Sequence, residues 1–269
     1  APAEYRLVVG VNATTPSQKS IENDWNFWLY PSELPADAPA DVLITTDWNA
    51  AQAKLTEGGK VFFTPPASML DPTCPPLATR PIFWNRVMNN TGAGGLSQVG
   101  FLGLLVDGKH PALAQFPTEN FCDFQWTDVT NGVRAINLES VPYQLVPVVQ
   151  AIDDWNRGFK LGVVFEVNVG KGKLLVSAIN LDPNAPGARG GPGAGQSSVA
   201  RQLRHSLLAY AASDKFAPKV TLNTDQANAL WPSTRPPGYK APKMPTISTQ
   251  PNANPGDVVE PTDDRPTPR

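Results

Sequence analysis

The residues of this sequence best suited to covalent or acid–base chemistry are two cysteines, two histidines and a scatter of carboxylates. Cys74 lies in Pro72-Thr73-Cys74-Pro75-Pro76, a proline-rich loop with no histidine near it in sequence. A nucleophile of an α/β domain needs a sharp strand-to-helix elbow with N–H donors beside it. The most obvious elbow follows Phe63 and reads Thr64-Pro65-Pro66-Ala67. Neither proline has an N–H to give an oxyanion hole, and no nucleophile stands between two glycines.

His110 and His205 are isolated, and no His/Cys/Asp cluster has metal-ligand spacing. His110 precedes Pro111 and reads as a turn residue; His205 falls on a helix. The glycine runs Gly92-Ala93-Gly94-Gly95 and Gly190-Gly191-Pro192-Gly193-Ala194-Gly195 lack the lysine and Ser/Thr of a phosphate loop, so both read as surface loops. No cofactor is implied. Glu119, Asp123, Asp128, Asp153, Asp154 and Glu166 are the candidates for a glycosidase acid and nucleophile. That chemistry requires a fixed separation between two carboxyls, which spacing along the chain does not supply.

Aromatic residues joined to hydrogen-bonding side chains are the remaining signal. Phe83-Trp84-Asn85, Phe124-Gln125-Trp126 and Asp153-Asp154-Trp155-Asn156 fall in expected loops. Rings stack on the C–H faces of sugars while directed polar groups meet the hydroxyls. Trp84, Asn85, Trp126, Asp154 and Trp155 are therefore candidate carbohydrate-binding residues. The same aromatics would serve equally to pack loops against a neighbouring domain.

The elements that must position these groups follow from pattern. Tyr5–Val11 and Asn23–Pro31 read as an antiparallel strand pair, marginal by itself in water. Asp41–Thr46 reads as a strand buried on both faces, followed by a helix capped by Asp47 or Asn49 and stopped at Gly58-Gly59. Lys60–Thr64 completes a βαβ unit. Gly100–Val106, Arg134–Leu138 and Leu145–Ile152 are further strands, the last with Pro147 predicting an edge or a bulge. Lys160–Val169 and Lys173–Asn180 flank Gly170-Lys171-Gly172 as a hairpin. Ser197 or Ser198 caps a helix to about Ala212 whose apolar face is Val199, Leu203, Leu207, Leu208 and Tyr210. The last 38 residues carry ten prolines and almost no aliphatic periodicity, as an extended tail would.

A hydrophobic fraction of 41% supports a real core, and a net charge of −2 offers no basic footprint for nucleic acid or an anionic membrane. No apolar run approaches the ~20 residues that span a bilayer. Cys74 and Cys122 suit a disulfide in an exported protein, periplasmic or secreted, and suit two buried thiols as well.

Asn23-Asp24-Trp25-Asn26-Phe27-Trp28-Leu29-Tyr30-Pro31 resembles the last strand of the immunoglobulin-like domains of family-two glycoside hydrolases, the β-galactosidase and β-glucuronidase type. Asp107-Gly108-Lys109-His110-Pro111-Ala112-Leu113 with Phe116-Pro117-Thr118 is similar to a C-terminal stretch of such proteins. So are Asp153-Asp154-Trp155-Asn156-Arg157, Lys160-Leu161-Gly162, Gly170–Leu175, Arg201–Leu208 and Ser213-Asp214-Lys215-Phe216. The resemblance implies an α/β, flavodoxin-like domain related to class I glutamine amidotransferases, without their catalytic cysteine. It implies residues 1–34 as terminal strands of an incomplete immunoglobulin-like β-sandwich, 35–222 as the amidotransferase-like domain and 223–269 as a Pro-rich tail. The function implied is that of a non-catalytic C-terminal accessory region of an exo-acting glycoside hydrolase, serving packing, assembly or the rim of the sugar site. The catalytic residues for O-glycosyl hydrolysis would lie on an upstream barrel. Its partners would be the catalytic and β-sandwich domains of the parent glycosidase, with oligosaccharide or polysaccharide as a ligand, and neither nucleic acid nor membrane. The alternatives are an independent carbohydrate-binding module and a hydrolase in its own right.

Overall fold

The protein is described here by a computed structural model covering residues 1–11, 21–35, 39–77, 101–130, 132–153, 158–184 and 194–235. Strands β1 (Ala3–Val11) and β2 (Ile21–Leu29) form a two-stranded antiparallel sheet of their own, with Tyr5 opposite Phe27 and Leu7 opposite Trp25. Strand alternation sends Tyr5, Leu7, Val9 and Val11 to one face together with their partners Phe27, Trp25, Asn23 and Ile21. Glu4, Arg6, Asn26 and Trp28 take the other face.

The remaining strands make one mixed sheet. Strand β3 (Val42–Thr45), helix α1 (Trp48–Thr56) and strand β4 (Lys60–Phe63) form the expected βαβ unit, with β3 and β4 parallel. The Asp47 carboxylate accepts the Asn49 N–H at 2.9 Å and so caps α1. Burial on both faces belongs to β4, where Val61, Phe62 and Phe63 are all buried, and not to β3 as expected. In β3 only Val42 is buried, because that strand forms the edge of the sheet.

Beyond β4 lie β9 (Gly172–Ser177), β8 (Leu161–Val169), β7 (Val149–Ile152) and β5 (Gly103–Val106), giving the order β3-β4-β9-β8-β7-β5. β9 is parallel to β4, whereas β8, β7 and β5 follow antiparallel. The short strands β6 (Ile136–Asn137) and β10 (Thr221–Leu222) also pair with β8, which brings this sheet to eight strands among the described residues. The architecture is mixed α/β, with the parallel pairings concentrated around β4. The strand expected over Leu145–Ile152 starts only at Val149, two residues after Pro147, and its register with β8 shifts between Val149 and Gln150, the irregularity of a bulge. β7 is nonetheless internal.

The turn between β8 and β9 requires its glycines. Gly170 has φ 57°, and a Cβ on Gly172 would meet the Leu55 backbone at 2.6 Å. The hairpin therefore passes directly under the end of α1.

Three further α-helices are described. Helix α2 (Phe124–Thr130) replaces an expected loop, because Trp126, Val129 and Thr130 line up at helical spacing and are buried. Helix α3 (Ser198–Ala212) is capped by Ser197, whose hydroxyl accepts the Ala200 N–H at 3.1 Å, and its predicted apolar face is buried. Helix α4 (Thr224–Ala229) opens on a capping box between Asn223 and Gln226.

The last helix corrects the expected tail boundary at residue 223. Residues 223–235 are folded, and Trp231 sits at 0% exposure, 5.6 Å from the ring of Trp48 and 5.3 Å from Phe63. Asn228 accepts the Trp48 indole N–H at 2.9 Å, and Arg235 pairs with Asp71 at 3.1 Å. The prolines from Pro236 onward lie outside the described residues. What composition concealed was a short, alanine-rich amphipathic helix in front of the proline run.

Candidate functional site

At the elbow after β4 the Thr64 N–H donates to Thr45 O at 3.1 Å, so the sheet ladder consumes it. Pro65 and Pro66 have none to offer. Cys74, farther along, is 2% exposed, and Arg134 donates to its carbonyl. Cys74 and Cys122 are both thiols, and burial followed by the charge of Asp123 raises the Cys122 thiol above its ordinary value. The surroundings of Cys122 therefore disfavour thiolate chemistry.

Four of the candidate carboxylates, Glu119, Asp123, Asp153 and Glu166, accept hydrogen bonds within the fold. Glu119 accepts the Asn26 side-chain N–H at 3.0 Å, Asp153 the Phe159 N–H at 3.0 Å, and Asp123 the Phe124 N–H at 2.5 Å. Glu166 projects from β8 and accepts the Tyr210 hydroxyl of α3 at 2.6 Å, with His110 Nε2 4.0 Å from its other oxygen. Burial raises the Glu166 carboxyl above the usual range despite the opposing Tyr210 bond and the charges of His110, Lys173 and Lys219. His110 itself caps the turn after β5, where Nδ1 accepts the Ala112 N–H at 3.2 Å. The Glu166–Tyr210–His110 cluster was not foreseen. Its only trace in the sequence is a single carboxylate inside the apolar run of β8.

Of the predicted sugar-binding residues, Trp126 alone is among the described residues. Trp126 is 0% exposed, its ring 5.4 Å from Phe116 and its indole N–H bonded to Thr118 Oγ1 at 2.8 Å. With no exposed face it packs the core, and as placed it has no ring to stack on a sugar. Trp84, Asn85, Asp154 and Trp155 lie outside the described residues.

A described concavity lies elsewhere. A cleft of about 570 Å³ runs between Ser32, Glu33, Leu34, Pro35 and Pro39 on one side and the outer face of α3 on the other. Arg201, Arg204 and His205 supply its polar donors, Glu33 its carboxylate, and Leu34, Pro35 and Leu208 much of its apolar wall. Arg201 bonds Ser32 O at 3.4 Å, and His205 Nε2 lies 2.8 Å from Gln115 Oε1. These groups can hold an anion, but they include no nucleophile and no pair of carboxylates. Among the described residues no group of three or more His, Cys, Asp or Glu is arranged to bind a metal, and no helix is long and apolar enough to cross a membrane.

The family model of a domain of unknown function, DUF8487, matches residues 43–232. The chain belongs to this family. Comparison with curated proteins gave no match. The DUF8487 span begins in β3 and ends one residue beyond Trp231, so the family unit includes α4 and its aromatic contact with α1. The β1–β2 hairpin lies outside that span.

Proposed function

We propose that this chain is the non-catalytic C-terminal accessory region of an exo-acting glycoside hydrolase, with a flavodoxin-like DUF8487 domain related in shape to class I glutamine amidotransferases. The observation that carries this reading is the elbow after β4. The parallel set β3, β4 and β9 builds the kind of strand end at which such domains place a nucleophile. Here the position holds two prolines and a threonine whose N–H is already used. A domain with that scaffold and that elbow is suited to holding other domains in place. The motif resemblances between Tyr5 and Phe216 supply the glycosidase context. In this reading the β1–β2 hairpin is one leaf of a β-sandwich whose second leaf comes from outside residues 1–34, and hydrolysis of the O-glycosyl bond takes place on an upstream barrel.

Recovery of the native protein from its source with an antibody to this chain tests the proposal. The precipitate should carry exo-glycosidase activity on aryl glycosides and a species far heavier than 28.9 kDa. A native species of 28.9 kDa without that activity would overturn it. So would turnover by the purified chain that is lost when Glu166 or Glu119 is replaced.

A further inference from the structure

The hairpin carries an exposed apolar face. Tyr5, Leu7, Val9, Val11, Ile21, Trp25, Phe27 and Leu29 are each between 41% and 74% exposed and share one side of the two-stranded sheet. The opposite side carries the hairpin's charges, with Arg6 paired to Asp24 across its two strands, and attaches to the body through the bond from Asn26 to Glu119. Just past β2, the Tyr30 hydroxyl donates to Gln125 at 2.5 Å. The exposed side is therefore held outward by specific contacts made elsewhere.

We infer that this face is a dimer interface and that its occupant is the same face of a second copy of the chain. The area is the first argument. The eight side chains leave roughly 800 Å² accessible, so face-to-face packing of two hairpins would bury roughly 1,600 Å², the standard size of a stable specific interface. A patch of that extent exceeds what monomers ordinarily expose.

Self-complementarity is the second argument. The pair Leu7–Trp25 lies at the middle of the nine-residue register, with Tyr5–Phe27 on one side of it and Val9–Asn23 on the other. A two-fold axis through the middle pair sets the bulky Tyr5–Phe27 end of one copy over the small Val9–Asn23 end of the other. Large then meets small in both halves, as a packed sandwich about 10 Å thick requires. The same operation sets Tyr5 over Val9 and Phe27 over Asn23, whose Oδ1 already accepts the Asp24 N–H at 3.0 Å. No charged side chain lies on the face, so self-association meets no like-charge repulsion. Two leaves of two strands then become a four-stranded sandwich, and a hairpin that is marginal alone gains its missing layer.

The inference rests on the accessory reading only in assigning the hairpin to an assembly surface. Sedimentation equilibrium of the full chain tests it. The expected result is a monomer–dimer equilibrium that Leu7→Glu and Trp25→Glu each weaken by roughly a hundred-fold or more, since each would bury an unpaired charge. Both side chains lie outside the core cluster, so the variants should keep the far-UV spectrum and melting temperature of the body. In a Cys122→Ser background a short bismaleimide should join two copies of Leu7→Cys and leave Val8→Cys, on the opposite face, unjoined. A chain that stays monomeric at 100 μM concentration scale, on the order of the weakest specific dimers, overturns the inference while leaving the glycosidase proposal standing. Dimers indifferent to Leu7→Glu, or Val8→Cys joining as efficiently as Leu7→Cys, overturn it as well.

Discussion

Glu166 sits inside the strand that more of the sheet depends on than any other, and burial raises its carboxyl above the usual range. Its pKa in the folded protein lies above the unfolded value, so its contribution to stability is complete below about pH 4 and is lost as pH rises through the raised value. Glu166→Gln keeps an acceptor for the Tyr210 hydroxyl and removes the charge. The melting temperature of the variant relative to the native chain should therefore climb between pH 4 and pH 7; a constant gap would show that the carboxyl is not perturbed. Trp126 gives a second expectation at this scale. Trp126→Ala should cost about 3–5 kcal/mol in chemical denaturation, as core tryptophans do, and change no sugar affinity beyond what unfolding explains. The sequence shows Trp126 beside a glutamine and so suggests a sugar platform. That glutamine instead receives the Tyr30 hydroxyl, from a residue 95 positions away, and no local pattern encodes such a pairing.

The segments with strong periodicity or punctuation were legible from sequence: β8 and β9 around their glycine turn, α3 behind Ser197, and α1 between Asp47 and Gly58. Short elements with mixed composition were not. Helix α2 is seven residues with two threonines, a length and content too weak to form a helix without tertiary contacts. Helix α4 has six residues and exists because Trp231 behind it enters the space between Trp48 and Phe63. A chain ending after Leu222 should thus lose at least the roughly 3–5 kcal/mol expected of Trp231→Ala. Guanidinium titrations of the two variants decide the matter, and an unchanged midpoint for the truncated chain would mean that α4 is only laid on the surface. Asp71 extends the same contact. Burial alone would raise its carboxyl, but hydrogen bonds from Thr73 and Arg235 outweigh it and hold the group below the usual range. Its contribution is therefore present at neutral pH and is lost as the solution is acidified through that lowered value.

Considered whole, the molecule is a body and an appendage. The core cluster runs from Val42 to Trp231 and takes nothing from residues 1–29; Tyr30 packs against it, its ring 6.1 Å from Phe116. A chain starting at Tyr30 should keep the cooperative unfolding transition and the midpoint of the full protein, measured by calorimetry. A broad transition, or a midpoint lowered by more than about 4–8 °C, the shift that 1 kcal/mol gives in a small domain, would show that the hairpin helps hold the body together. The division into a strand pair and an α/β body could be read from the change of pattern near Pro31, but the mixed order β3-β4-β9-β8-β7-β5 could not. Strand order depends on which residues meet across a hundred or more positions, and a single sequence records that only as apolar runs of similar length.

The indole of Trp48 is tied to Asn228, 180 residues later, and the first βαβ unit receives its aromatic cover from the last described helix. Closing a loop of that length costs roughly 5 kcal/mol of chain entropy before the contact gives anything back. Folding of the body therefore waits on its far end. On the ribosome, β3, α1 and β4 emerge early and hold Trp48 and Phe63 uncovered until residue 231 has been made and released. Among proteins of similar size this chain should refold slowly, and its premature termination products should be clients of chaperones and proteases.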